Sequence, residues 1–264
     1  MILLLKIQNQ RFGFHNNNMT SKIDAKHYNQ NSILQKALAI DVLHYHKFKS
    51  EENILDIGCG DGEVTKLISM YGKATGIDLC QNMIEFAKEN NSNNNTEYIN
   101  CPILEFKKTQ EYSLITAFNS IYWCGNLNKI FSKIYDLLEP NGKFLIITYP
   151  KESPYWIPIV DLLSTDKWKI WKDLSILKYW LTTDEYVNVI KCNNLKVIHC
   201  NSSIENIHYK NKNEYTNYLK GWLPLMFTHE FPIDDFLDDL VSSFWKTADS
   251  LNIEYKKVVL YGTK

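Results

Sequence analysis

Arginine is nearly absent from this sequence, since Arg11 is the only one among 264 residues. The other fixed cations are lysines, which lack the planar guanidinium fork that binds carboxylate or phosphate with two parallel hydrogen bonds. The formal net charge is -1, whereas nucleic-acid-binding domains usually carry a basic face. The composition therefore argues against a nucleic-acid partner and against a core that clamps an anion with arginine.

A long apolar run near the start is also missing. Residues Met1 to Leu5 are apolar, but Lys6 follows them. The run is shorter than the ~7–15 residues of a signal-peptide core and the ~20 of a membrane-spanning helix. We therefore expect a cytoplasmic protein without a membrane partner. Residues 1–20, rich in Asn and Gln, are expected to form a flexible leader, and translation could start at Met19.

The six cysteines form no CxxC pair and show no spacing typical of a zinc site. Isolated cysteines in a reducing compartment usually serve as small, buried, apolar residues. We therefore expect neither a disulfide framework nor a bound metal. With 45% hydrophobic and 22% charged residues, the composition is typical of a soluble globular domain.

Strands and helices are predicted to alternate over the first half of the chain. Short apolar runs predict strands at 53–57, 73–78, 97–101, 112–118 and 143–149. Apolar residues at helical spacing predict helices at 29–48, 63–71, 82–90 and 127–138, the last of which is followed by a turn at 140–142. This alternation is typical of βαβ units in a doubly wound α/β fold with a parallel sheet.

The alternation stops after residue 150, where prolines and tryptophans become frequent. The sequence TTDE at 182–185 is a capping box, which predicts a helix that runs to about residue 191. Further elements are predicted as strands at 195–201 and 253–261 and helices at 213–227 and 233–248. We expect a single domain at 21–264, made of a core at 50–150 and an α-helical, aromatic-rich cap at about 151–180 and 205–250.

A glycine-rich turn, LDIGCGDG at 55–62, leaves the first strand and enters a helix. Glycines let the backbone turn sharply and approach a ligand closely. They fall here as GxGxG, at Gly58, Gly60 and Gly62, whereas dinucleotide sites carry GxGxxG. The glycines alone would also be consistent with a tight turn that binds no ligand. The neighbouring acidic residues are therefore needed to distinguish the two interpretations.

Two acids stand beside this turn. Asp56 would repel a pyrophosphate and attract an ammonium group. Asp78 ends the second strand, 20 residues after Gly58, where an acid accepts hydrogen bonds from ribose hydroxyls that contribute about 1.5–3 kcal/mol each. Asp78 could also be the N-cap of the following helix, and the two roles are compatible. The pattern favours a nucleoside ligand with an ammonium group and no phosphate, as in S-adenosylmethionine.

Three motifs together resemble the class I S-adenosylmethionine-dependent methyltransferases. They are ILDIGCGDG at 54–62, GIDL at 76–79 and LLEPNGKF at 137–144. The resemblance implies a Rossmann-like, seven-stranded sheet whose last strand is antiparallel, S-adenosyl-L-methionine as cofactor and S-adenosyl-L-homocysteine as product. The family usually places an acid for the adenine amino group where this chain has Pro102. Adenine recognition is therefore expected to rest on backbone groups near Ile103 and on packing against Leu79.

A looser likeness spans nearly the whole chain. The segment YNQNSILQ at 28–35, the pair Tyr122-Trp123, the pair Lys167-Trp168 and the acidic run 234–239 resemble the juvenile hormone acid methyltransferases. The trans-aconitate methyltransferases are more distantly similar. In the first family the residues that match Gln35 and Trp123 touch the substrate carboxylate, and histidine often stands where this chain has Tyr122.

The resemblances imply a complete set of site residues. The cofactor contacts are expected from Tyr28, Ser32, Asp56, Gly58, Cys59, Gly60, Asp78, Leu79, Met83, Pro102, Ile103 and Asn119. The catalytic contacts are expected from Gln35 and Trp123, and the substrate contacts from Gln35, Tyr122, Trp123 and Trp156. A solvated helix face for Gln35 and an ordinary core position for Trp123 are the alternatives.

The expected chemistry needs alignment more than it needs a base. A carboxylate is anionic at neutral pH, and holding it in line with the methyl group can supply as much as ~7–11 kcal/mol. The Gln35 amide and the Trp123 indole can each donate a hydrogen bond to a carboxylate oxygen. We therefore expect carboxyl O-methylation of a small, partly apolar acid. The lack of core arginines argues against a tricarboxylate.

Two other functions stay open. Methylation of a carrier-bound acyl group or of a macromolecule would need a lysine-rich face near the site, to which Lys167, Lys169, Lys172 and Lys220 could contribute. A non-catalytic cofactor-binding or scaffold protein is the third reading, because the adenine-site acid is replaced by Pro102. The sequence specifies neither the substrate nor the oligomeric state.

Overall fold

The computed structural model describes residues 24–107, 110–172, 180–227, 231–244 and 251–264. The predicted leader at 1–20, with Met19, lies outside the described residues. The strands are β1 (Glu52–Ile57), β2 (Gly72–Asp78), β3 (Thr96–Asn100), β4 (Tyr112–Phe118), β5 (Leu138–Thr148), β6 (Lys196–Tyr209) and β7 (Leu251–Thr263). Within the described residues they form one seven-stranded sheet in the order β3–β2–β1–β4–β5–β7–β6.

The strand directions are those of the predicted fold. β1 is parallel to β2 and β4, β2 is parallel to β3, and β4 is parallel to β5. β7 lies between β5 and β6 and is antiparallel to both. The structure thus confirms the doubly wound α/β sheet with an antiparallel last strand. The loops after β1, β2 and β4 share one edge of the sheet, which is where ligands bind in open α/β sheets.

Helices surround this sheet. They are α1 (Ala25–Asn31), α2 (Ile33–Asp41), α3 (Glu63–Ile68), α4 (Gln81–Asn90), α5 (Leu127–Leu137), α6 (Ile157–Leu162), α7 (Lys169–Lys172), α8 (Thr183–Cys192), α9 (Lys212–Lys220) and α10 (Ile233–Phe244). Short 3-10 turns stand at Val42–Tyr45, Ser69–Tyr71, Ile121–Trp123, Pro154–Trp156 and Leu223–Met226. The part of the predicted helix 233–248 beyond Phe244 lies outside the described residues.

The single helix predicted at 29–48 is wrong, because the structure has two helices and a 3-10 turn there. α1 ends at Asn31, and Ser32 has a non-helical backbone with φ -95° and ψ 17°. Asn and Ser side chains compete with the backbone for hydrogen bonds, which weakens a continuous helix. The segment is therefore two short pieces rather than one stable helix.

The last two strands are longer than predicted. β6 runs to Tyr209 instead of stopping at residue 201, and residues 203–209 pair with residues 251–257 of β7. The half-buried positions in the next part of the strand are Ser203, Glu205 and Ile207, so the sequence there lacks the apolar alternation that would reveal the rest of β6. The second cap segment therefore begins after residue 209 and not at 205. The division of the chain into core and cap otherwise stays a prediction.

The boundary of β5 also differs from the prediction. β5 begins at Leu138, whereas the sequence predicts a turn at 140–142 and a strand from 143. Asn141 has a φ of 66°, and the pairing with β4 shifts register between Tyr112 and Leu114. Bulges combine a register shift with such local irregularity. The turn signal therefore marks an irregular point within the strand.

Both faces of the sheet are buried at its centre. Phe144 and Ile146 of β5 belong to one apolar cluster, and Leu145 and Ile147 belong to another on the opposite face. All four side chains are 0% exposed, and burial of such a side chain contributes about 1.5–3 kcal/mol. Burial on both faces explains the nearly continuous apolar run of this strand.

The segments beyond β5 pack against one another through aromatic and polar contacts. Lys167 Nζ and Trp168 Nε1 both donate to Asp239 Oδ2, at 2.6 and 2.9 Å. Most of the acidic run on α10 is exposed, as predicted, but Asp239 is half-buried by this contact. The predicted capping box is confirmed, since the Thr182 hydroxyl accepts from Glu185 N and the Glu185 carboxylate accepts from Thr182 N.

Three further findings concern the described residues only. No helix there is both long enough and apolar enough to cross a membrane. No group of three or more His, Cys, Asp or Glu side chains there could hold a metal ion. The six cysteines are free thiols, of which Cys59 and Cys80 are buried while Cys192 and Cys200 are exposed. The expectation of buried cysteines is thus wrong for the last two.

Candidate active site

The glycine turn between β1 and α3 leaves open space at only one of its three glycines. All three have positive φ angles, of 71°, 55° and 78°, a region that L side chains rarely adopt. A Cβ on Gly58 would lie 2.3 Å from Ser120 Cβ, and one on Gly62 would lie 2.8 Å from the Tyr98 ring. A Cβ on Gly60 would meet only Tyr28 Cε1, at 3.8 Å. The turn therefore presents Gly60 to a ligand, while Gly58 and Gly62 are required by packing.

Asp78, at the end of β2, holds this turn in place. Its Oδ2 accepts a hydrogen bond from Gly60 N at 3.0 Å, and its Oδ1 accepts one from Cys80 N at 2.8 Å. The predicted N-cap role is wrong, because Cys80 is the N-cap of α4. Burial raises the pKa of Asp78. Each oxygen keeps a further lone pair, so the expected contact with ribose hydroxyls stays a prediction.

Asp56 is buried and connects three elements of the fold through hydrogen bonds. It is 2% exposed, its Oδ2 accepts from the Thr65 hydroxyl of α3 at 2.6 Å, and its Oδ1 accepts from the Thr116 hydroxyl of β4 at 2.8 Å. Burial raises its pKa to about 6. The structure thus gives Asp56 a role that the sequence does not reveal, and its attraction for an ammonium group stays a prediction.

The region expected to contact adenine is built from backbone groups. The Pro102 carbonyl accepts from Glu105 N and Phe106 N in a turn after β3, and the Ile103 side chain is 4% exposed. Asn100 Nδ2 donates to the carbonyls of Asp78 and Leu79, at 3.0 and 2.9 Å. Asn100 is a residue that the sequence motifs do not single out, although it fixes the backbone beside the turn.

The N-terminal helices approach the turn from outside the sheet. Tyr28 packs with Met83 in a small apolar cluster, and its ring lies next to Gly60. A small cavity is lined by Tyr28, Ser32, Gln35, Tyr218, Gly221 and Trp222. The buried Oγ of Ser32 and the buried Oε1 of Gln35 have no hydrogen-bond partner among the described residues. The alternative of a solvated Gln35 is wrong, because Gln35 faces this cavity.

The loop after β4 brings another predicted residue, Asn119, next to Gln35. Asn119 has a φ of 56°, and its Nδ2 donates to the Gln35 carbonyl at 3.3 Å. Its buried Oδ1 has no partner within the described part of the chain. The strained backbone and the unpaired acceptor both occur at the carboxyl edge of the sheet, where function is concentrated in this fold.

Aromatic rings form a wall next to the same loop. The Trp123 ring lies 6.4 Å from that of Trp180 and 6.3 Å from that of Trp222 between centroids. Tyr122 is 5% exposed and packs against Trp123 and Trp156. Burial raises the pKa of the Tyr122 phenol, so it stays neutral.

The indole groups of this wall differ in their hydrogen bonds. Trp156 Nε1 donates to the Pro150 carbonyl at 3.1 Å, so its only donor is engaged and it can offer a substrate only its ring. The buried Nε1 atoms of Trp180 and Trp222 have no partner among the described residues. Sequence reasoning missed Tyr218 and Trp222, because no spacing in the chain indicates that they lie beside Gln35.

Comparison with known proteins gives the class of the chain. Residues 55–146 match the family model described as a methyltransferase domain. The chain is 24% identical over 241 residues to juvenile hormone acid O-methyltransferase of Drosophila melanogaster, and the match covers 81% of each chain. It is 34% identical over 131 residues to malonyl-[acyl-carrier protein] O-methyltransferase of Priestia megaterium, covering 47% of this chain and 48% of that one. It spans about half the length of other curated relatives that it matches.

Solved structures support the fold. Phosphoethanolamine N-methyltransferase 2 of Haemonchus contortus, in complex with S-adenosyl-L-methionine, superposes with a TM-score of 0.54 at 19% identity, covering 86% of this chain and 52% of that one. The family match over residues 55–146 and the shared fold support a class I S-adenosylmethionine-dependent methyltransferase domain in this chain. Its cofactor is S-adenosyl-L-methionine, and the open space at Gly60 beside the Asp78 carboxylate fits such a group.

Proposed function

We propose that this enzyme methylates the carboxylate of a small, partly apolar acid. The observation that carries the proposal is the pair of buried indole N–H groups of Trp180 and Trp222, which flank Trp123 and have no partner among the described residues. A buried donor without a partner costs about 1–3 kcal/mol. A carboxylate oxygen between these rings would satisfy such donors.

The donors available to the substrate are neutral. Lys257 is the one buried lysine in the described part of the chain, and its Nζ lies 3.1 Å from Glu205 Oε1. Lys36, whose side chain is 13% exposed, lies 2.8 Å from Asp61 Oδ2. Both cations are thus neutralised within the protein. Indole and amide donors suit one carboxylate in an aromatic pocket better than the several charges of a tricarboxylate.

The proposed reaction needs no general base. Bound S-adenosylmethionine supplies an electrophilic methyl group on a sulfonium. A carboxylate oxygen forms the new C–O bond as the C–S bond breaks, which gives a methyl ester and S-adenosylhomocysteine. Gln35, Trp123, Trp180 and Trp222 would orient the carboxylate, and the aromatic wall with Tyr122 and Trp156 would exclude water. Alignment of this kind can supply as much as ~7–11 kcal/mol.

The cofactor contacts are part of the same proposal. Gly60 would let the ligand approach the backbone, Asp78 would accept from the ribose, and Asp56 would favour the ammonium group. Leu79, Pro102 and Ile103 would border the adenine. The remaining proposed contacts are Tyr28, Ser32, Gly58, Cys59, Met83 and Asn119.

A carrier-bound acyl substrate is the second candidate, favoured by the 34% identity to the malonyl-[acyl-carrier protein] enzyme. The lysines that could dock an acidic carrier are largely neutralised. Lys167 pairs with Asp239 at 2.6 Å, Lys169 with Asp166 at 2.8 Å and Lys220 with Asp234 at 3.4 Å. Lys172 Nζ donates to the Ser164 hydroxyl. These pairs favour a free acid over a carrier.

The test is methyl transfer from tritiated cofactor to fatty, terpenoid and dicarboxylic acids and to malonyl-loaded carrier protein. We expect label in an apolar monocarboxylic acid, and we expect mild alkali to release it as methanol, since a methyl ester is hydrolysed whereas an ether or N-methyl group is not. Transfer only to the carrier would favour the second candidate, and alkali-stable label would contradict carboxyl methylation. Calorimetry with S-adenosylhomocysteine tests the scaffold reading, which absence of binding would favour.

A further inference from the structure

We propose that Lys36 and Asp61 form an ion pair that positions Gln35 against the cofactor turn. The inference rests on the proposed function only in naming Gln35 as a substrate contact. Lys36 and Asp61 touch neither substrate nor cofactor in this proposal, so they are positioning residues. The pair joins α2, which carries Gln35, to the glycine turn.

The pair is short, largely buried and shared by both N-terminal helices. Lys36 Nζ lies 2.8 Å from Asp61 Oδ2, and the two side chains are 13% and 5% exposed. Asn29 Nδ2, on α1, donates to the same oxygen at 2.8 Å. Although burial lowers it, the hydrogen bonds to Asp61 and Glu63 leave the pKa of Lys36 above its ordinary value, so Lys36 is cationic at neutral pH.

Asp61 itself is anchored to the core of the fold. It stands between Gly60 and Gly62 in the turn, and its carbonyl accepts from Asn91 Nδ2 at 2.8 Å. Its Oδ1 accepts from Glu63 N at 3.3 Å. A side chain held in this way is a fixed point against which α1 and α2 can be located.

α2 needs such a fixed point. It has nine residues, and isolated helices shorter than ~12–15 residues are marginal in water. The break at Ser32 prevents support from a continuous helix with α1. Gln35 directly precedes Lys36, and its carbonyl accepts from Asn119 Nδ2 at 3.3 Å. The Lys36–Asp61 pair and this hydrogen bond thus hold Gln35 from two sides.

Glu63 provides a matched control. Its Oε2 also contacts Lys36 Nζ, at 2.5 Å, but its side chain is 53% exposed. Exposed ion pairs contribute little because water screens them, whereas removal of one partner of a buried pair leaves an uncompensated charge. Glu63→Gln should therefore behave like the wild type, while Lys36→Met and Asp61→Asn should not.

The experiment measures hydrogen exchange of residues 25–41, S-adenosylhomocysteine affinity and acid-methylation kinetics for these variants. We expect Lys36→Met and Asp61→Asn to speed exchange in residues 25–41 by at least about tenfold, since a broken buried pair is strongly destabilising. We expect them to raise the KM for the acid more than they change kcat. Lys36→Arg, which keeps the charge, should restore most of both properties.

The outcomes separate this inference from the proposed function. Faster exchange in both variants, with Glu63→Gln unchanged, supports the positioning pair even if none of the tested acids is methylated. Unchanged exchange and unchanged kinetics in a folded Lys36→Met enzyme would overturn it. If Lys36→Met fails to fold, Asp61→Asn decides, because its side chain keeps the volume and loses only the charge.

Discussion

The glycine turn and the aromatic wall border the same site, and they differ in how their buried polar groups are paired. On the turn side, Asp56 accepts from two threonine hydroxyls and Asp78 accepts from two backbone N–H groups. On the wall side, Gln35 Oε1 and the indole N–H groups of Trp180 and Trp222 have no partner in the described part of the chain.

The difference indicates which half of the site is complete before a ligand arrives. More than about 90% of buried polar groups in folded proteins are paired, so the unpaired groups of Ser32, Gln35 and Trp222 around one small cavity are unusual. The turn is preorganised by its own residues, whereas the indole N–H groups of the wall would gain an acceptor when a carboxylate binds. We expect the cofactor half to contribute to fold stability and the substrate half to contribute to substrate binding.

The largest expected effect separates two glycines of the turn. Gly58→Ala should destabilise the protein by more than about 3 kcal/mol, because its Cβ would meet Ser120 Cβ at 2.3 Å and a left-handed L residue costs roughly 1–2 kcal/mol on its own. A Cβ at Gly60 would lie in open space. Gly60→Ala should therefore reduce the free energy of unfolding only by about this backbone cost. Urea unfolding of the two variants measures this difference.

Gly60→Ala should also separate an effect on cofactor affinity from an effect on stability. Its methyl group would occupy the space that we assign to the cofactor, so S-adenosylhomocysteine affinity should fall much more than stability does. Calorimetry on the folded variant tests this. Undiminished affinity in Gly60→Ala would show that the cofactor does not approach the turn at this residue.

The next effect is a pH dependence on the turn side. Burial raises the pKa of Asp56 to about 6 from its ordinary 3.8, so the protonated form is favoured in the folded state. The stability that this shift contributes is present below pH 3.8 and is lost as the pH rises through about 6. The loss is on the order of 3 kcal/mol, at 1.36 kcal/mol for each pKa unit.

Asp56→Asn is the variant that isolates this dependence. The asparagine side chain cannot titrate, so the free energy of unfolding of the wild type minus that of the variant should decrease between pH 4 and pH 7.5. Taking this difference removes the parallel contributions of other groups, such as Glu52, whose pKa is lowered. A flat difference would show that folding leaves the pKa of Asp56 near its ordinary value.

A smaller effect distinguishes two tryptophans of the wall. Trp222→Phe removes a donor that is unpaired among the described residues, so thermal stability should hold or rise slightly. The KM for the acid should increase by about tenfold, because one hydrogen bond to a charged oxygen contributes about 1.5–3 kcal/mol. Thermal unfolding and initial-rate kinetics together give both quantities.

Trp156→Phe is the matched control on the same wall. Its N–H donates to the Pro150 carbonyl, so the variant should lose about 1 kcal/mol of stability and keep its KM for the acid. The proposed carboxylate contact would be wrong if Trp222→Phe lost stability and kept its KM as well.

The same contrast explains how much of the fold could be predicted from the sequence. Strands buried on both faces give continuous apolar runs, so the predicted bounds of β1, β2 and β4 agree with the structure to within one residue. β6 lies at the sheet edge, and its half-buried positions beyond residue 201 include the polar Ser203 and Glu205, so the sequence predicts only its first part. The sequence near Asn141 likewise predicts a turn, although the structure has a bulge within β5 there.

The site follows a similar rule. Gly60 and Asp78 lie in two short motifs, and the sequence could indicate them because local backbone geometry requires them. Tyr218 and Trp222 line the cavity beside Gln35 only because of tertiary packing, and no interval in the chain encodes that contact. The Lys36–Asp61 pair is hidden for the same reason, since both residues look like ordinary surface charges in the sequence.

The smallest expected effect concerns the proposed adenine contact, where Pro102 stands instead of an acidic residue. Pro102→Asp should place a carboxylate after β3, and a hydrogen bond from the adenine amino group to it should contribute about 1 kcal/mol at a half-exposed position, or roughly fivefold in Kd. Pro102→Ala is the control, since it also removes the proline ring but adds no acceptor. Calorimetry with S-adenosylhomocysteine compares the two with the wild type. Tighter binding in Pro102→Asp alone would place the adenine beside residue 102. Equal affinities in both variants would mean that backbone groups already satisfy the adenine or that the adenine lies elsewhere.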